Sequence, residues 1–367
     1  MRRHAHSSRI ASIAACLLVL SAATNVAAVP TADAVEAPAS AVAMAEDEGA
    51  RAMAHSLSDS AWRAKVQKAA LAFDEVPITT LASETRSAVL PTLVEADRKI
   101  LAAKGLDPRV GQLLRLRLGD DSMRAALAAG VTPWVAAAAF DDDARFVTAY
   151  DISGQMHTLD VRVIPSHPVY VVDIDSAQAV AAGLGVIHEE LLRQGLNSSA
   201  SAVPTGLWTT RITAVRVSND EEPWIKGKAE IYTLVTGFGK DGRVRVDLVG
   251  MPYLDEGKTT YHPNQIMVNW SNYRYNLADA VMMEDDGNTN YRDLAKAVAT
   301  ALLAIADQGM YVPLVNAVLD AVPDSWWTDE DDYVDSWYAL AKSANGKRYG
   351  ARGNGWMTVQ PYFVEQF

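Results

Sequence analysis

Acidic side chains stand in three clumps in the second half of the chain, each next to an apolar strand or helix end. The first lies between Asp220 and Glu230, and the second begins at Glu284. Carboxylates crowded into one turn repel each other unless a cation neutralises them, and Ca²⁺ takes about six to eight oxygen ligands from such loops. The sequence therefore predicts a calcium site built from loops 219–230 and 284–290. Its candidate ligands are Asp220, Glu222, Glu230, Glu284, Asp285, Asp286 and Asn288.

The main alternative is that these loops are solvated surface, which an acidic protein can carry without any bound ion. An EF-hand is excluded for the second loop. If Asp286 began such a loop, Tyr291 would stand where glycine is required and Ala297 where glutamate is required. The third clump, from Asp324 to Asp335, is interpreted as a solvated helix amino terminus, since acids suit the positive end of a helix.

Catalytic candidates are fewer. Asp173 and Asp175 end the apolar run "VYVVDID", where an aspartate could act as a nucleophile or simply cap the following helix. His188 stands in "HEEL" and lacks the second histidine of a zinc-protease motif. The alternative to a binding role is therefore a hydrolase that places Asp173, Asp175 and His188 in a cleft between two domains.

The amino terminus has the layout of a secretory signal peptide. Basic Arg2, Arg3 and Arg9 precede an apolar stretch over 10–23, which is shorter than a membrane span of about 20 residues. Cleavage is expected after Ala28, with Ala34 as a second candidate site, and either would also remove Cys16, the only cysteine. The mature chain would then have neither a disulfide nor a thiolate metal site.

The 367 residues carry a net charge of −12, which disfavours binding to nucleic acid. Residues 29–45 are rich in Ala, Val and Pro and are predicted to be a flexible leader. Helical periodicity dominates 46–130, including "DPRVGQLLRLRLG" as a third short helix. A hairpin over "FVTAYDI" and "MHTLDVRV", a buried strand "PVYVVDI" and a covering helix then complete an α+β domain at 46–196.

Residues 197–206 form the predicted linker, because small polar residues, Pro204 and Gly206 break every period there. Beyond it, alternating segments predict an antiparallel β-sandwich at 207–367, interrupted by a strong amphipathic helix that starts at Tyr291. The predicted fold class is therefore α+β, with a helical and mixed domain followed by a sandwich with inserted helices. Transmembrane segments are not expected.

Several segments resemble the secreted bacterial proteins grouped as domain of unknown function 3103. They are "NDEEPWIKGKAEIYTLVTG", "MPYLD", "HPNQIMVNW", "EDDGNTNYRDLAKA" and "PDSWWTDEDDYVD", with "RLGDDSM" and "HPVYVVDID" earlier in the chain. This resemblance covers most of the mature chain and implies no known activity. The second half is also loosely similar to the calcium- and phospholipid-binding sandwich of protein kinase C, which would match Asp220, Glu230, Asp285 and Asp286 to its calcium loops.

Taken together, the residues predict a secreted protein with a calcium-binding sandwich that serves as a binding or structural module. A hydrolase remains the alternative. An extracellular ligand or a surface partner is expected, but the sequence does not identify it.

Overall fold

The computed structural model describes residues 40–138, 144–196, 206–218, 224–227, 230–285, 287, 289–305, 314–321 and 333–365. Its helices are α1 (Ala41–Ser56), α2 (Ser60–Ala72), α3 (Ile78–Thr85), α4 (Leu90–Ala103), α5 (Arg124–Ala128), α6 (Ser176–Arg193), α7 (Tyr291–Ile305) and α8 (Val315–Ala321). Within these ranges, no helix has the length and apolarity that a membrane crossing requires.

The strands are β1 (Glu75–Pro77), β2 (Leu114–Leu118), β3 (Trp134–Ala137), β4 (Phe146–Tyr150), β5 (Met156–Asp160), β6 (Val169–Ile174), β7 (Gly206–Val217), β8 (Ile231–Phe238), β9 (Val244–Gly250), β10 (Gln265–Asn269), β11 (Leu277–Glu284), β12 (Tyr333–Ala341), β13 (Gly346–Tyr349) and β14 (Gly355–Glu365). These elements confirm the predicted α+β class.

Sheet 1 belongs to the first half of the chain and has the strand order β1-β2-β6-β3-β4-β5. Its neighbours are antiparallel except for the parallel pair of β3 and β6. The predicted hairpin is β4 and β5, and Gly154 between them has the positive φ of 84° that favours glycine. The predicted buried strand is β6, and α6 follows it as expected.

Strand β2 corrects the sequence analysis, which assigned "DPRVGQLLRLRLG" to a helix. Only Pro108–Val110 is helical, as a single 3₁₀ turn, and Leu114–Leu118 is a strand. The run "LRLRL" alternates with a period of two, so its leucines face one side of the sheet and its arginines the other. Leu114 and Leu116 are fully buried, which fixes that register.

The second half forms two antiparallel sheets. Sheet 2 has the order β10-β7-β14-β13, and sheet 3 has the order β12-β11-β8-β9. Their facing sides share one hydrophobic cluster, which includes Val215, Met357, Val235 and Met282, so they pack as the predicted sandwich. Strand β8 is buried along its whole length because its other face is covered as well.

Helices cover that other face of sheet 3. Tyr232 and Val281 of sheet 3 share a cluster with Leu294 of α7, and the same cluster continues to Met53 of α1 and Leu116 of sheet 1. The hydrophobic interior is therefore continuous across the position of the predicted domain boundary. Residues 197–205 of the predicted linker lie outside the described residues.

The start of α1 and the end of α4 are each marked by a residue suited to a helix terminus. Helix α1 begins at Ala41 with Ser40 as its N-cap, so residues 41–45 of the predicted leader are helical. Helix α4 ends at Ala103 with Lys104 as its C-cap, and Gly105, the next residue, has the positive φ of 68° that favours glycine.

Asp97 shows how α4 fixes the start of β2. Its buried carboxylate accepts hydrogen bonds from the backbone N–H groups of Leu113 and Leu114, at 2.7 and 2.8 Å, and from the Thr79 hydroxyl at 2.7 Å. Burial raises the pKa of Asp97, and these hydrogen bonds offset the rise only in part.

Asp97→Ala is expected to lower the free energy of unfolding by about 2–4 kcal/mol, because two buried N–H groups lose their acceptor. Asp97→Asn should cost less than about 1 kcal/mol, since its amide oxygen can accept both N–H groups and its NH₂ can donate to Thr79.

The pH dependence gives a second readout. A carboxyl group whose folded pKa is raised loses stability as pH rises from its unfolded value, about 3.9, through its folded value. Asp97→Asn removes that loss, so its stability relative to the native protein should improve between pH 4 and pH 7. Urea unfolding across this range tests both expectations, and equal losses for Ala and Asn would contradict them.

Candidate functional site

The two loops predicted to hold calcium start from neighbouring positions. Glu230 stands just before β8 and Glu284 ends β11, and these strands pair in sheet 3. The N–H of Asp285 donates to the carbonyl oxygen of Glu230 at 3.1 Å. Glu230 and Asp285 therefore lie at the same end of the sandwich. Asp220, Glu222, Asp286 and Asn288 lie outside the described residues.

Asp285 has a cation partner from the chain itself. Lys104, at the end of α4, places its Nζ 3.2 Å from Oδ2 of Asp285 and 2.9 Å from the carbonyl oxygen of Gly287. Both side chains of this ion pair are completely buried. The Tyr291 hydroxyl donates to the same Oδ2 at 2.7 Å. The charge that the sequence analysis assigned to a metal ion at Asp285 is thus balanced by a lysine 181 positions earlier in the chain.

Tyr291 and Asn290 complete this cluster by satisfying the end of α4. The Tyr291 N–H donates to the carbonyl oxygen of Lys104 at 3.1 Å, and the Asn290 amide donates to that of Ala103 at 2.6 Å. Burial, followed by the Asp285 carboxylate, raises the pKa of Tyr291 well above its ordinary value, so the phenol stays protonated and donates. We name Lys104, Asp285 and Tyr291 the buried lysine cluster.

Within the described ranges, no group of three or more His, Cys, Asp or Glu side chains is placed to hold a metal ion. Asp335, which the sequence analysis put in a solvated helix terminus, lies instead in β12 and is fully buried. Calcium binding stays a prediction, because four of its candidate ligands lie outside the described residues.

Lys104→Met is expected to lower the free energy of unfolding by about 3–5 kcal/mol, because it leaves the Asp285 charge buried without a partner. Asp285→Asn should also destabilise, and the double variant should lose less than the sum of the two single losses. Denaturant unfolding of the four proteins measures this coupling. Strictly additive losses would contradict a direct interaction.

The calcium prediction is tested by thermal unfolding in CaCl₂ and in a chelator. A site filled at about 100 times its Kd would add about 2.7 kcal/mol of stability. Asp220→Asn and Asp286→Asn should reduce that shift, whereas Asp74→Asn, an exposed acid outside both loops, serves as the control. An unchanged melting temperature in calcium would rule out a stabilising calcium site.

Both aspartates considered as catalytic have arginine partners on β2. Arg117 donates to Asp173 at 2.9 Å, and Arg115 donates to Asp175. Asp175 also accepts the N–H of Gln178 at 2.8 Å as the N-cap of α6, which confirms the capping interpretation. The arginines of "LRLRL" therefore account for the position of both carboxylates.

Part of the first acidic loop covers the ion pair of Arg117 and Asp173. The carbonyl oxygens of Trp224 and Ile225 accept hydrogen bonds from Arg117, at 3.4 Å in the case of Trp224. Residues 224–227 are thus held on sheet 1.

His188 lies elsewhere. It is thirteen positions after Asp175 on α6, which corresponds to about 20 Å along the helix axis. It lines a cleft of about 410 Å³ with Asp247, Asn269 and Asn272. Asp173, Asp175 and His188 consequently do not form one acid–base group.

A second cleft, of about 660 Å³, lies where the connection from β9 to β10 crosses the side of the sandwich. We name it the tyrosine cleft. Its lining residues are Gly250, Pro252, Tyr253, Tyr261, His262, Pro263 and Gln265. The two tyrosine rings are 6.0 Å apart and tilted by 50°. Tyr261 exchanges two backbone hydrogen bonds with Val215 of β7, which fixes this wall to sheet 2.

The polar groups of the tyrosine cleft are fixed by hydrogen bonds. The Tyr253 hydroxyl donates to Gln265, whose amide donates to the carbonyl oxygen of Gly250 at 2.8 Å. The Tyr261 hydroxyl donates to Asp255 at 2.9 Å. Burial and Asp255 raise the pKa of Tyr261 to about 12, so this phenol also keeps its proton.

The sequence analysis missed this cleft. Its two tyrosines are eight positions apart in an irregular segment, where no helical or strand period connects them. The available signal was the pair of prolines beside aromatic residues in "MPYLD" and "YHPNQ".

Comparison with known proteins identifies the family. A family model described as a protein of unknown function, DUF3103, matches residues 48–367. The chain belongs to this family. The match confirms the resemblance drawn from "NDEEPWIKGKAEIYTLVTG" and the other segments. The likeness to the protein kinase C sandwich has no such support. No curated protein and no solved structure matches the chain.

Proposed function

We propose that the chain is a secreted, non-enzymatic binding protein whose sandwich holds a sugar residue in the tyrosine cleft. Secretion rests on the basic and apolar pattern of the amino terminus. Sugar binding rests on one observation about the polar groups of the cleft. They already donate their hydrogens to acceptor atoms of the protein, and they are the hydroxyls of Tyr253 and Tyr261 and the imidazole of His262.

For His262 this follows from its partner. Its Nδ1 is 3.1 Å from the carbonyl oxygen of Thr213, which can only accept, so Nδ1 carries a hydrogen and the remaining lone pair of an imidazole in this tautomer is on Nε2. Pro252 and Pro263 contribute no backbone N–H at all. The fixed groups of the cleft can therefore accept hydrogen bonds from a ligand better than they can donate them.

A sugar residue meets these conditions. Its hydroxyl groups donate hydrogen bonds, and the apolar face of its ring can pack on an aromatic side chain. A proline-rich peptide fits less well, because proline offers only acceptors. The volume also suits a small ligand, since binding clefts generally span about 300–1,000 Å³.

The hydrolase alternative gains no support from its candidate residues. Asp173 and Asp175 are each bonded to an arginine, and His188 lies about 20 Å from Asp175 along α6.

The test uses protein recovered from the culture medium, with its amino terminus read to check cleavage after Ala28. Neutral oligosaccharides of glucose, xylose, galactose and N-acetylglucosamine are titrated by calorimetry. One series is expected to bind saturably, and Tyr253→Ala and Tyr261→Ala should each weaken it about three- to tenfold through loss of an aromatic contact.

Phe73→Ala is the matched control, because Phe73 is a 63% exposed aromatic side chain at the end of α2. It should leave affinity unchanged. The proposal fails if no sugar binds, or if binding survives both tyrosine substitutions. Tyrosine-dependent binding of tetramethylammonium instead would show that the cleft recognises a cation, and cleavage of a bound oligosaccharide would favour the hydrolase.

A further inference from the structure

The outer face of sheet 2 carries aromatic and basic side chains in register. The inward residues Ile212, Val215, Met357 and Val359 belong to the sandwich core, so their neighbours along β7 and β14 point outward. Cross-strand pairing places Arg216 opposite Trp356, Trp356 opposite Tyr349, and Arg211 opposite Gln360. We name this surface the basic-aromatic face. It consists of Arg211, Arg216, Lys347, Tyr349, Trp356 and Tyr362.

Two of its cations lie over aromatic rings. The guanidinium carbon of Arg211 is 4.1 Å from the centre of the Tyr362 ring, and Nζ of Lys347 is 3.6 Å from the centre of the Trp356 ring. Cation–π attraction holds each charge in a defined place rather than leaving it on a freely rotating side chain. Nε and Nη2 of Arg211 donate to the side-chain oxygen of Gln360, and its other N–H groups remain available to an anion.

These cations have no carboxylate partners among the described residues. Arg211, Arg216 and Lys347 form no ion pair there, whereas Arg115 and Arg117 on sheet 1 are paired with aspartates. Nε of Arg216 is buried and has no hydrogen-bond partner in the same part of the chain. A patch of uncompensated positive charge is unexpected in a chain of net charge −12. Charge complementarity therefore indicates an anionic partner.

The distance between Arg211 and Arg216 indicates how large a ligand must be to contact both side chains. A β-bulge lies between Arg211 and Arg216 on β7, and their partners Gln360 and Trp356 are four positions apart on β14, so the two arginines are about 13 Å apart at about 3.3 Å per residue. One small anion cannot contact both, whereas a polymer with repeated anionic groups can. Lys347, two strands away, widens the row to β13.

The arrangement of rings and charges distinguishes the classes of polyanion. The cations cover the rings of Tyr362 and Trp356, so charges rather than apolar groups are outermost, unlike a surface that inserts into a bilayer. Tyr349 is 71% exposed and can pack against a sugar ring. The net negative charge opposes dense polyanions such as nucleic acid more than it opposes a polymer with one charge per sugar. We propose that the basic-aromatic face binds an acidic polysaccharide through its carboxylate groups.

The test titrates the full mature protein with polygalacturonate, using dextran as the neutral polymer, oligothymidylate as the nucleic acid and phosphatidylglycerol vesicles as the membrane. Polygalacturonate is expected to bind, and binding should weaken as NaCl rises from about 0.05 M to about 0.5 M. Arg211→Gln, Arg216→Gln and Lys347→Gln should each lower the affinity about five- to tenfold, because each removes a charge-assisted hydrogen bond.

Lys65→Gln and Lys68→Gln on α2 remove the same charge from a distant surface, and they should leave affinity within about twofold. Circular dichroism and melting temperature establish that each variant folds, and three separate positions keep the test decisive if one does not. The proposal is overturned if dextran binds equally well, if the α2 variants lose as much affinity as the β-sheet variants, or if only the vesicles or the oligonucleotide bind. Failure of sugar binding in the tyrosine cleft would leave it standing, since the two surfaces share no residue.

Discussion

The ion pair between Lys104 and Asp285 is the interaction on which the arrangement of the two halves of the molecule most depends. Lys104 ends α4 in the first half, and Asp285 follows β11 of the sandwich. Two charges buried without water are stable only when each is fully paired. Lys104 therefore has to meet Asp285, Gly287 and Tyr291 together, and this requirement fixes the end of α4 against the start of α7. The continuous hydrophobic cluster around it supplies the burial but has no comparable directional requirement.

The two outward-facing arginine rows illustrate how context decides the role of one residue type. On sheet 1, Arg115 and Arg117 form salt bridges with Asp175 and Asp173, so their charges are neutralised within the fold. On sheet 2, Arg211 lies over an aromatic ring and has no carboxylate partner among the described residues. Both rows alternate with buried apolar residues in the sequence. On sheet 1 the neighbouring strand β6 brings Asp173 within reach of Arg117, whereas on sheet 2 Arg211 stands opposite Gln360 and lies over the ring of its diagonal neighbour Tyr362.

This dependence on neighbours also sets the limit of prediction from sequence. The sandwich strands and α7 were predictable because each carries its own period in a local window. Strand β2 was misassigned because apolar leucines at a short spacing fit a helix until the strand partner is known. The partner of Asp285 could not be found at all, since no local pattern connects it with Lys104, 181 positions away.

The buried aspartates show a second role for acidic residues, separate from metal binding. Asp279 accepts the N–H groups of Leu314 and Ala339 at 2.7 Å each, and Asp335 accepts those of Arg352 and Gly355 at 2.8 and 2.7 Å. Asp335 thereby joins β12 to the loop before β14, which belongs to the other sheet, and Asp279 joins β11 to the residue before α8, as Asp97 joins α4 to the start of β2. Hydrogen bonds to a charged acceptor are about twice as strong as neutral ones, so they suit the tethering of loops in a chain whose single cysteine cannot form an intrachain disulfide. Part of the acidic composition therefore stabilises loops from inside, where it contributes nothing to surface charge and needs no ion.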